Sequence, residues 1–281
     1  MKARQTEKKL LVVAQGGLCN RLRVVLSVLS FARHRSDVRC EVVWNAHAEC
    51  GARFGELFLP IERPNFHIRE GGWRDAPVER RNLHMPWLFR RFGYDCQLKN
   101  YLPAKHGSLE RLLNRWNRVY ASTCYCLGEY GAAELADLVP LPSLQRQVAS
   151  LWRVFSGRPV VGVHIRRTDH KVAMEHSPVE AFREAIEREL RQNPEVSFFL
   201  STDDESLKQV LCERYRGHVF VQPIVMNRRD CLAGMKAAVV DLWTLARTQK
   251  ILGSYWSSFT DTAAELGGIP LEIVKQNGDN K

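Results

Sequence analysis

The sequence predicts an α/β chain of two Rossmann-like lobes whose parallel sheets face a cleft. Three observations predict it. The second half alternates short apolar, β-branched runs with segments of helical period. The first half opens with strand, glycine turn, helix and strand, a βαβ unit whose crossover makes the strands parallel. The 281 residues, 45% hydrophobic and 26% charged, suffice for two domains with a core each.

Taken in order, KLLVVA (Lys9 to Ala14) is short, apolar and closed by Gly16-Gly17, so it reads as a buried strand. Asn20 is placed to cap RLRVVLSVLSFARHR, where Leu22, Val25, Leu26 and Leu29 recur at helical spacing. CEVVW (Cys40 to Trp44) gives the second strand. Residues 51 to 107 are rich in Gly, Pro and Arg without a clean period and read as loops and short elements. Helices are expected near 108 to 120 and 143 to 155, with LVPLPS (Leu138 to Ser143) as the linker between lobes 1–142 and 143–281. Beyond it, RPVVGVHI, VSFFLS, HVFVQ, KILGS and PLEIV read as strands. SPVEAFREAIERELRQ, DDESLKQVLCERY, DCLAGMKAAVVDLWTLART and SSFTDTAAELG read as the helices between them, the first of these carrying a serine cap.

No apolar run approaches the ~18 residues of a membrane span, and the first apolar stretch is too short for a signal peptide, so a cytoplasmic protein is expected. Eight cysteines show no CxxC pair and no zinc-like spacing; reduced, mostly buried thiols are expected. The formal charge of +10 favours an anionic partner. Much of the excess lies between residues 53 and 118, where arginines interleave with Trp73, Trp87, Phe89, Phe92 and Tyr94. The mixture in PWLFRRFGY (Pro86 to Tyr94) suits an anionic lipid surface or glycolipid. No nucleic-acid motif accompanies it, and the arginines form no helical or strand stripe.

In open parallel sheets ligands lie at the carboxyl ends of strands, and four such places stand out. AQGGLCNRL (Ala14 to Leu22) offers a glycine turn where backbone N–H groups approach a phosphate or sugar, although a tight turn with an Asn cap explains it equally. It is neither a P-loop nor a GxGxxG fingerprint. HIRRTD (His164 to Asp169) places a histidine, Arg166, Arg167 and Asp169 at a strand terminus, and a guanidinium fork matches phosphate oxygens. STDDE (Ser201 to Glu205) resembles a DxD metal site, but its carboxylates also suit a helix N-cap and first turn, the reading preferred here. Finally Ser257, Ser258 and Thr260 put more hydroxyls at a helix start than one cap needs.

HIRRTD, then STDD, then VVDLWTLART, then SSFTDTAAE, in this order over about residues 158 to 270, resemble the carboxy-terminal lobe of the fucosyltransferase superfamily. That group holds the α1,6-fucosyltransferases of N-glycan cores and nodulation factors, the α1,2-fucosyltransferases and the protein O-fucosyltransferases. GGLCNRL is similar to its amino-terminal glycine turn. The resemblance implies a GT-B fold, GDP-fucose as donor substrate, inversion at the anomeric centre, no cofactor and no required metal. It implies that Arg166 meets the β-phosphate with Arg167 beside it, and that His164 and Asp241 contact guanine. Ser257, Ser258 and Phe259 would close over diphosphate and base, and Asp203 and Asp204 would support the nucleotide lobe. Asp169, Asn20, Gly16 and Gly17 complete the donor-side set.

Core α1,6 enzymes carry Lys directly after the motif's Asp and Glu a few residues on. Here His170 intervenes before Lys171, and Glu175 follows with that shift. Glu175 is thus the candidate acceptor base, with His176, His170 or a first-lobe residue as alternatives. The expected function is fucosyl transfer to a glycan or glycolipid, with peripheral contact to the inner face of an anionic membrane. A transferase using another GDP-sugar, or a non-catalytic glycan- or nucleic-acid-binding protein, stays open.

Overall fold

The computed structural model describes residues 8–75, 85–155, 157–167, 171–223 and 228–276. The chain divides into two units after Leu141, and Arg228–Met235 belongs with the first, an excursion that a single boundary at 142/143 does not include. It packs where Gly51 lacks a side chain: a Cβ there would lie 2.2 Å from the Asp230 carbonyl carbon, and Gly51 N–H donates to Arg229 O at 2.7 Å.

The first unit runs β1 (Lys8–Ala14), α1 (Leu18–His34), β2 (Val38–Val43), β3 (Phe66–Arg69), α2 (Trp87–Gly93), β4 (Cys96–Lys99), α3 (Pro103–His106), α4 (Leu109–Arg115), β5 (Arg118–Thr123) and α5 (Ala132–Asp137). Its strands pair in parallel in the order β3-β2-β1-β5-β4. The βαβ opening is as expected, whereas two strands lie in the stretch read as loops. β3 and β4 have only four residues each and are at best half-buried beyond Phe66, so they carry too few apolar side chains to show a period.

Two local expectations fail in this unit. Gly17, not Asn20, precedes α1, and Asn20 sits inside the first turn. The helix expected to reach residue 120 stops at Arg115, because Val119, Tyr120 and Ala121 are buried in a strand beside β1. The Leu138 to Ser143 stretch, read as the linker, contains the division between the units, and its first part is held to the first unit: Leu59 N–H donates to Val139 O at 2.8 Å and Leu141 N–H to Leu57 O at 2.9 Å.

The second unit holds α6 (Pro142–Arg153), β6 (Val160–Ile165), α7 (Lys171–His176), α8 (Val179–Gln192), β7 (Ser197–Thr202), α9 (Glu205–Arg214), β8 (Val219–Phe220), most of α10 (Leu232–Leu245), β9 (Ile251–Ser254), α11 (Ser258–Gly267) and β10 (Leu271–Val274). The parallel order is β10-β9-β6-β7-β8. Alternation along β6 sends Val161, Val163 and Ile165 into a core with Phe182 and Ile186 of α8. Ser177 does not cap α8; its hydroxyl donates to Val274 O at 2.5 Å and accepts from Tyr255 N–H at 2.8 Å, tying the segment before α8 to the ends of β9 and β10. No helix among the described residues is long and apolar enough to cross a membrane.

Candidate functional site

Each sheet reverses direction at its first strand: β1 lies between β2 and β5, and β6 between β7 and β9. The carboxyl ends of β1 and β6 are therefore switch points, where neighbouring connections part and leave room for a ligand. Both hold an arginine close by.

In the second unit, the register puts His164 of β6 between Ser201 of β7 and Gly253 of β9. Gly253 is required there. A Cβ would lie 2.0 Å from Thr260 Cγ2, so only glycine lets α11 pack directly on the strand. That close approach brings the Thr260 hydroxyl to 2.7 Å from His164 Nδ1. Phe259 stacks on the imidazole with centroids 4.8 Å apart and planes at 28°. Burial first, and the Arg166 charge second, push the His164 pKa down to about 3. The ring is neutral at any working pH, with its orientation held by Thr260.

Ser201, on the same face of the sheet, donates its hydroxyl to Asp241 Oδ2 at 2.7 Å. The other oxygen of Asp241, Oδ1, is shielded from solvent and has no hydrogen-bond partner among the described residues. Burial raises this carboxyl to about 6 against the Ser201 hydrogen bond and the Lys208 charge. A lone pair removed from water and left unpaired is costly, and a ligand's N–H groups would relieve that cost.

The two arginines follow immediately. Arg166 is pinned to β9 by its backbone N–H, which donates to Ser254 Oγ at 2.9 Å, and its Nη1 lies 3.1 Å from Asp203 Oδ2. Asp203 Oδ1 accepts the Arg167 backbone N–H at 2.8 Å. One carboxylate thus braces both residues after the strand. Asp204 turns the other way and caps α9: its Oδ1 accepts from Leu207 N–H at 3.0 Å and the Ser206 hydroxyl at 2.6 Å, bonds that lower its pKa. The capping reading of STDDE thus describes Asp204, while Asp203 fixes the double arginine.

Across the switch point, Ser257 caps α11 by accepting from Thr260 N–H at 3.4 Å. Ser258 and Phe259 open the helix, and their half-buried positions put N–H groups and a hydroxyl at its positive end. Trp256 just before them is exposed with a φ of 52°, a left-handed backbone that a bulky side chain rarely adopts. Glu175 is exposed on α7, and the next residue, His176, places its ring 4.9 Å from Tyr255. Asp169 and His170 lie outside the described residues.

Asn20, Gly16 and Gly17 belong to the first unit. Gly16 takes a φ of 80°, and a Cβ on it would come within 2.9 Å of Asn20 Nδ2, so the turn is closed by the asparagine side chain. Sequence reasoning passed over the neighbouring Arg21, which is fully buried. Its Nε donates to Gly16 O at 2.8 Å and Nη1 to Asn45 O at 2.5 Å; Nη2 meets His47 Nε2, and the guanidinium lies 5.3 Å from the Trp44 ring. Burial, then the Arg21 charge, lowers the His47 pKa to about 4. The available signal was a charged residue in register with the apolar positions Val25 and Val28. In the second unit Ser254 and Gly253 were also missed, and only the register reveals them; Thr260 was singled out for its hydroxyl, but not as the partner of His164.

No family model matches the chain, and no curated protein does. Solved structures do match. NodZ α-1,6-fucosyltransferase co-crystallised with GDP is 18% identical, with 95% of this chain and 94% of that chain covered and a TM-score of 0.62; NodZ from Bradyrhizobium gives 16%, 95% and 95%, and 0.60. A variant of Arabidopsis thaliana FUT1 in complex with GDP is 13% identical over 99% of this chain and 72% of that one, with a TM-score of 0.60. POFUT1 in complex with GDP is 12% identical over 97% and 99%, with a TM-score of 0.55. Two parallel five-stranded units, matched over nearly the whole chain, give this protein the GT-B fold of the fucosyltransferases.

Proposed function

We propose that this chain is a glycosyltransferase that moves L-fucose from GDP-fucose, with inversion, to a hydroxyl of a glycan or glycolipid, without a required metal ion. One observation carries the reading: at a single sheet edge, a braced guanidinium stands with a buried, unpartnered carboxylate oxygen and the start of α11. Guanine offers adjacent N1–H and 2-amino donors, which a carboxylate such as Asp241 accepts as a pair. His164, neutral and clamped, supplies a second contact to the base. The diphosphate then falls to Arg166, the Ser258 hydroxyl and the first N–H groups of α11.

The chemistry follows from where charge develops. An acceptor hydroxyl attacks fucose C1 on the face opposite the phosphate. The bond from C1 to the β-phosphate oxygen breaks with its electron pair on GDP, and the hydroxyl proton passes to a base, for which exposed Glu175 is the candidate. Arg166 stabilises the oxygen that gains the charge, and Asp203 pre-positions it, so little reorganisation is needed as the bond breaks. The two aspartates of STDDE are occupied within the protein, Asp203 with the arginine turn and Asp204 as a cap. That supports arginine in place of a metal. Eight free thiols support a cytoplasmic setting.

The test is calorimetric binding of GDP, ADP and UDP, followed by turnover of GDP-fucose and GDP-mannose with an oligosaccharide panel. GDP is expected to bind at least about tenfold tighter than the others, a margin of ~1.4 kcal/mol. Equal affinities would refute the Asp241 assignment, and turnover of GDP-mannose alone would refute fucose.

A further inference from the structure

Nine large hydrophobic side chains stand exposed among the described residues, and four of them cluster in one short part of the first unit. Trp73 is 70%, Trp87 61%, Leu88 57% and Phe92 74% accessible. Trp73 packs edge-on against Phe89 at 5.2 Å, which fixes the 71–75 loop against α2. On α2, residues 87, 88, 91 and 92 share one face at i, i+4 spacing. The opposite side is spent inside: Arg90 is buried with its guanidinium 5.8 Å from the Tyr120 ring, and Met85, Tyr94 and Tyr120 form the core that Phe89 joins. The outer face is therefore a surplus that the fold does not use.

The charged side chains described on this face are both arginines. Arg74 lies with the aromatics, 5.0 Å from the Trp73 ring and 5.6 Å from Phe89, and Arg91 is exposed one turn beyond Trp87. Two nearby carboxylates are neutralised: Asp75 is buried against Arg69 at 2.7 Å, and Asp95 pairs with Arg118 at 2.9 Å. Contiguous exposed apolar surface of this kind marks an interaction site.

We propose that this face, Trp73, Arg74, Trp87, Leu88, Arg91 and Phe92, docks on an anionic lipid bilayer. The aromatic side chains enter the headgroup layer, where tryptophan is favoured, and the two guanidiniums bind lipid phosphates. A second copy of the chain is a poor occupant, because it would bring the same arginines and a like net charge of +10 against the face. Arg90, in the same motif, takes no part because it is buried. The docking face is independent of the donor reading.

The full chain is sedimented with phosphatidylcholine vesicles and with vesicles in which about a third of the lipid is phosphatidylglycerol. It is expected to bind only the second kind, with partition falling as salt is raised. Arg74→Gln and Arg91→Gln should each weaken partition roughly fivefold. Trp87→Ser with Phe92→Ser should weaken it more, while melting temperature and its shift by GDP stay unchanged. Because a double variant could fold poorly, wild-type tryptophan fluorescence is read in parallel: anionic vesicles should blue-shift it, and brominated lipid should quench it. Absence of binding and of quenching at low salt overturns the proposal. So does partition undiminished in the four substitutions, or a wild-type dimer that they convert to monomer.

Discussion

The two units place an arginine near the carboxyl end of the first strand of each sheet, and they use it in opposite ways. Arg21 is wholly buried, with its donors committed to Gly16 O, Asn45 O and His47. It holds three connections together, with all three of its nitrogens engaged inside the unit. Arg166 is partly open, with Asp203 at 3.1 Å from its Nη1 and its main chain fixed by Ser254. A guanidinium has five N–H donors in a rigid fork, so what it does depends on how many of them the protein leaves outward. Burial with backbone acceptors makes a clamp, whereas a guanidinium braced at the surface of a switch point is placed as the proposed donor site requires.

Substituting the two arginines separates these roles. Arg166→Lys should lower kcat/KM by about 10²-fold or more while the melting temperature is kept, since an ammonium cannot reproduce the bidentate fork. A variant retaining more than about a tenth of wild-type kcat/KM, a loss below ~1.4 kcal/mol, would place Arg166 outside the transition state. Arg21→Met should do the reverse. It strands the carbonyls of Gly16 and Asn45 and should cost about 3 kcal/mol of unfolding free energy, read from denaturant titration, with GDP affinity of the remaining folded protein unaltered. If Arg21→Met instead melts like wild type, the clamp assignment fails. Chelation gives a smaller effect: turnover should persist in EDTA, and arrest that manganese reverses would transfer Arg166's role to a metal.

The strand-end constellations of the second unit were legible because they depend on neighbours in sequence: HIRRTD, STDD and SSFT each follow an apolar run that could only be a buried strand. Asp241, named from the resemblance, stands in the structure as a buried acceptor beside Ser201. What stayed hidden depends on register. Gly253 reads as an ordinary glycine until β9 pairs with β6 and α11 presses Thr260 onto it. In the first unit, β3 and β4 are too short to show alternation. Arg21 looks like a solvated helix residue although it is buried. The aromatic motif was read as one basic face, yet the helix turns Arg90 inward and Arg91 outward, a distinction that sequence spacing offers only once the helix register is known.

Asp241→Asn tests whether the proposed donor site stores instability that a ligand recovers. The buried carboxylate, raised to about 6 from 3.8, is destabilising at neutral pH by on the order of 2–3 kcal/mol, so the apo variant should melt higher than wild type at pH 7.5. GDP should bind it more weakly, because an amide presents one acceptor and a misplaced donor to the guanine edge. A variant that is no more stable and binds GDP normally would remove Asp241 from both arguments.

The finest contrast lies in acid. His164 has a folded pKa of about 3 against 6.5, so its contribution is complete above pH 6.5 and is lost as pH falls toward 3. Asp241 has the opposite sign: its contribution is complete below 3.8 and is lost as pH rises through about 6. Between roughly pH 4 and 6 the two slopes, each up to ~1.4 kcal/mol per pH unit, oppose each other and nearly cancel. His47, with a pKa of about 4, adds a slope of the His164 sign in every variant. Removing one partner should therefore unmask the other. Asp241→Asn should lose stability more steeply than wild type on acidification from pH 6 to 4, and His164→Gln should lose it less steeply or gain. Urea titrations at half-unit steps across that window measure both slopes. If the two variants track wild type in parallel, neither group is buried as the sheet register places it, and the pocket at the β6 and β9 ends is open to water.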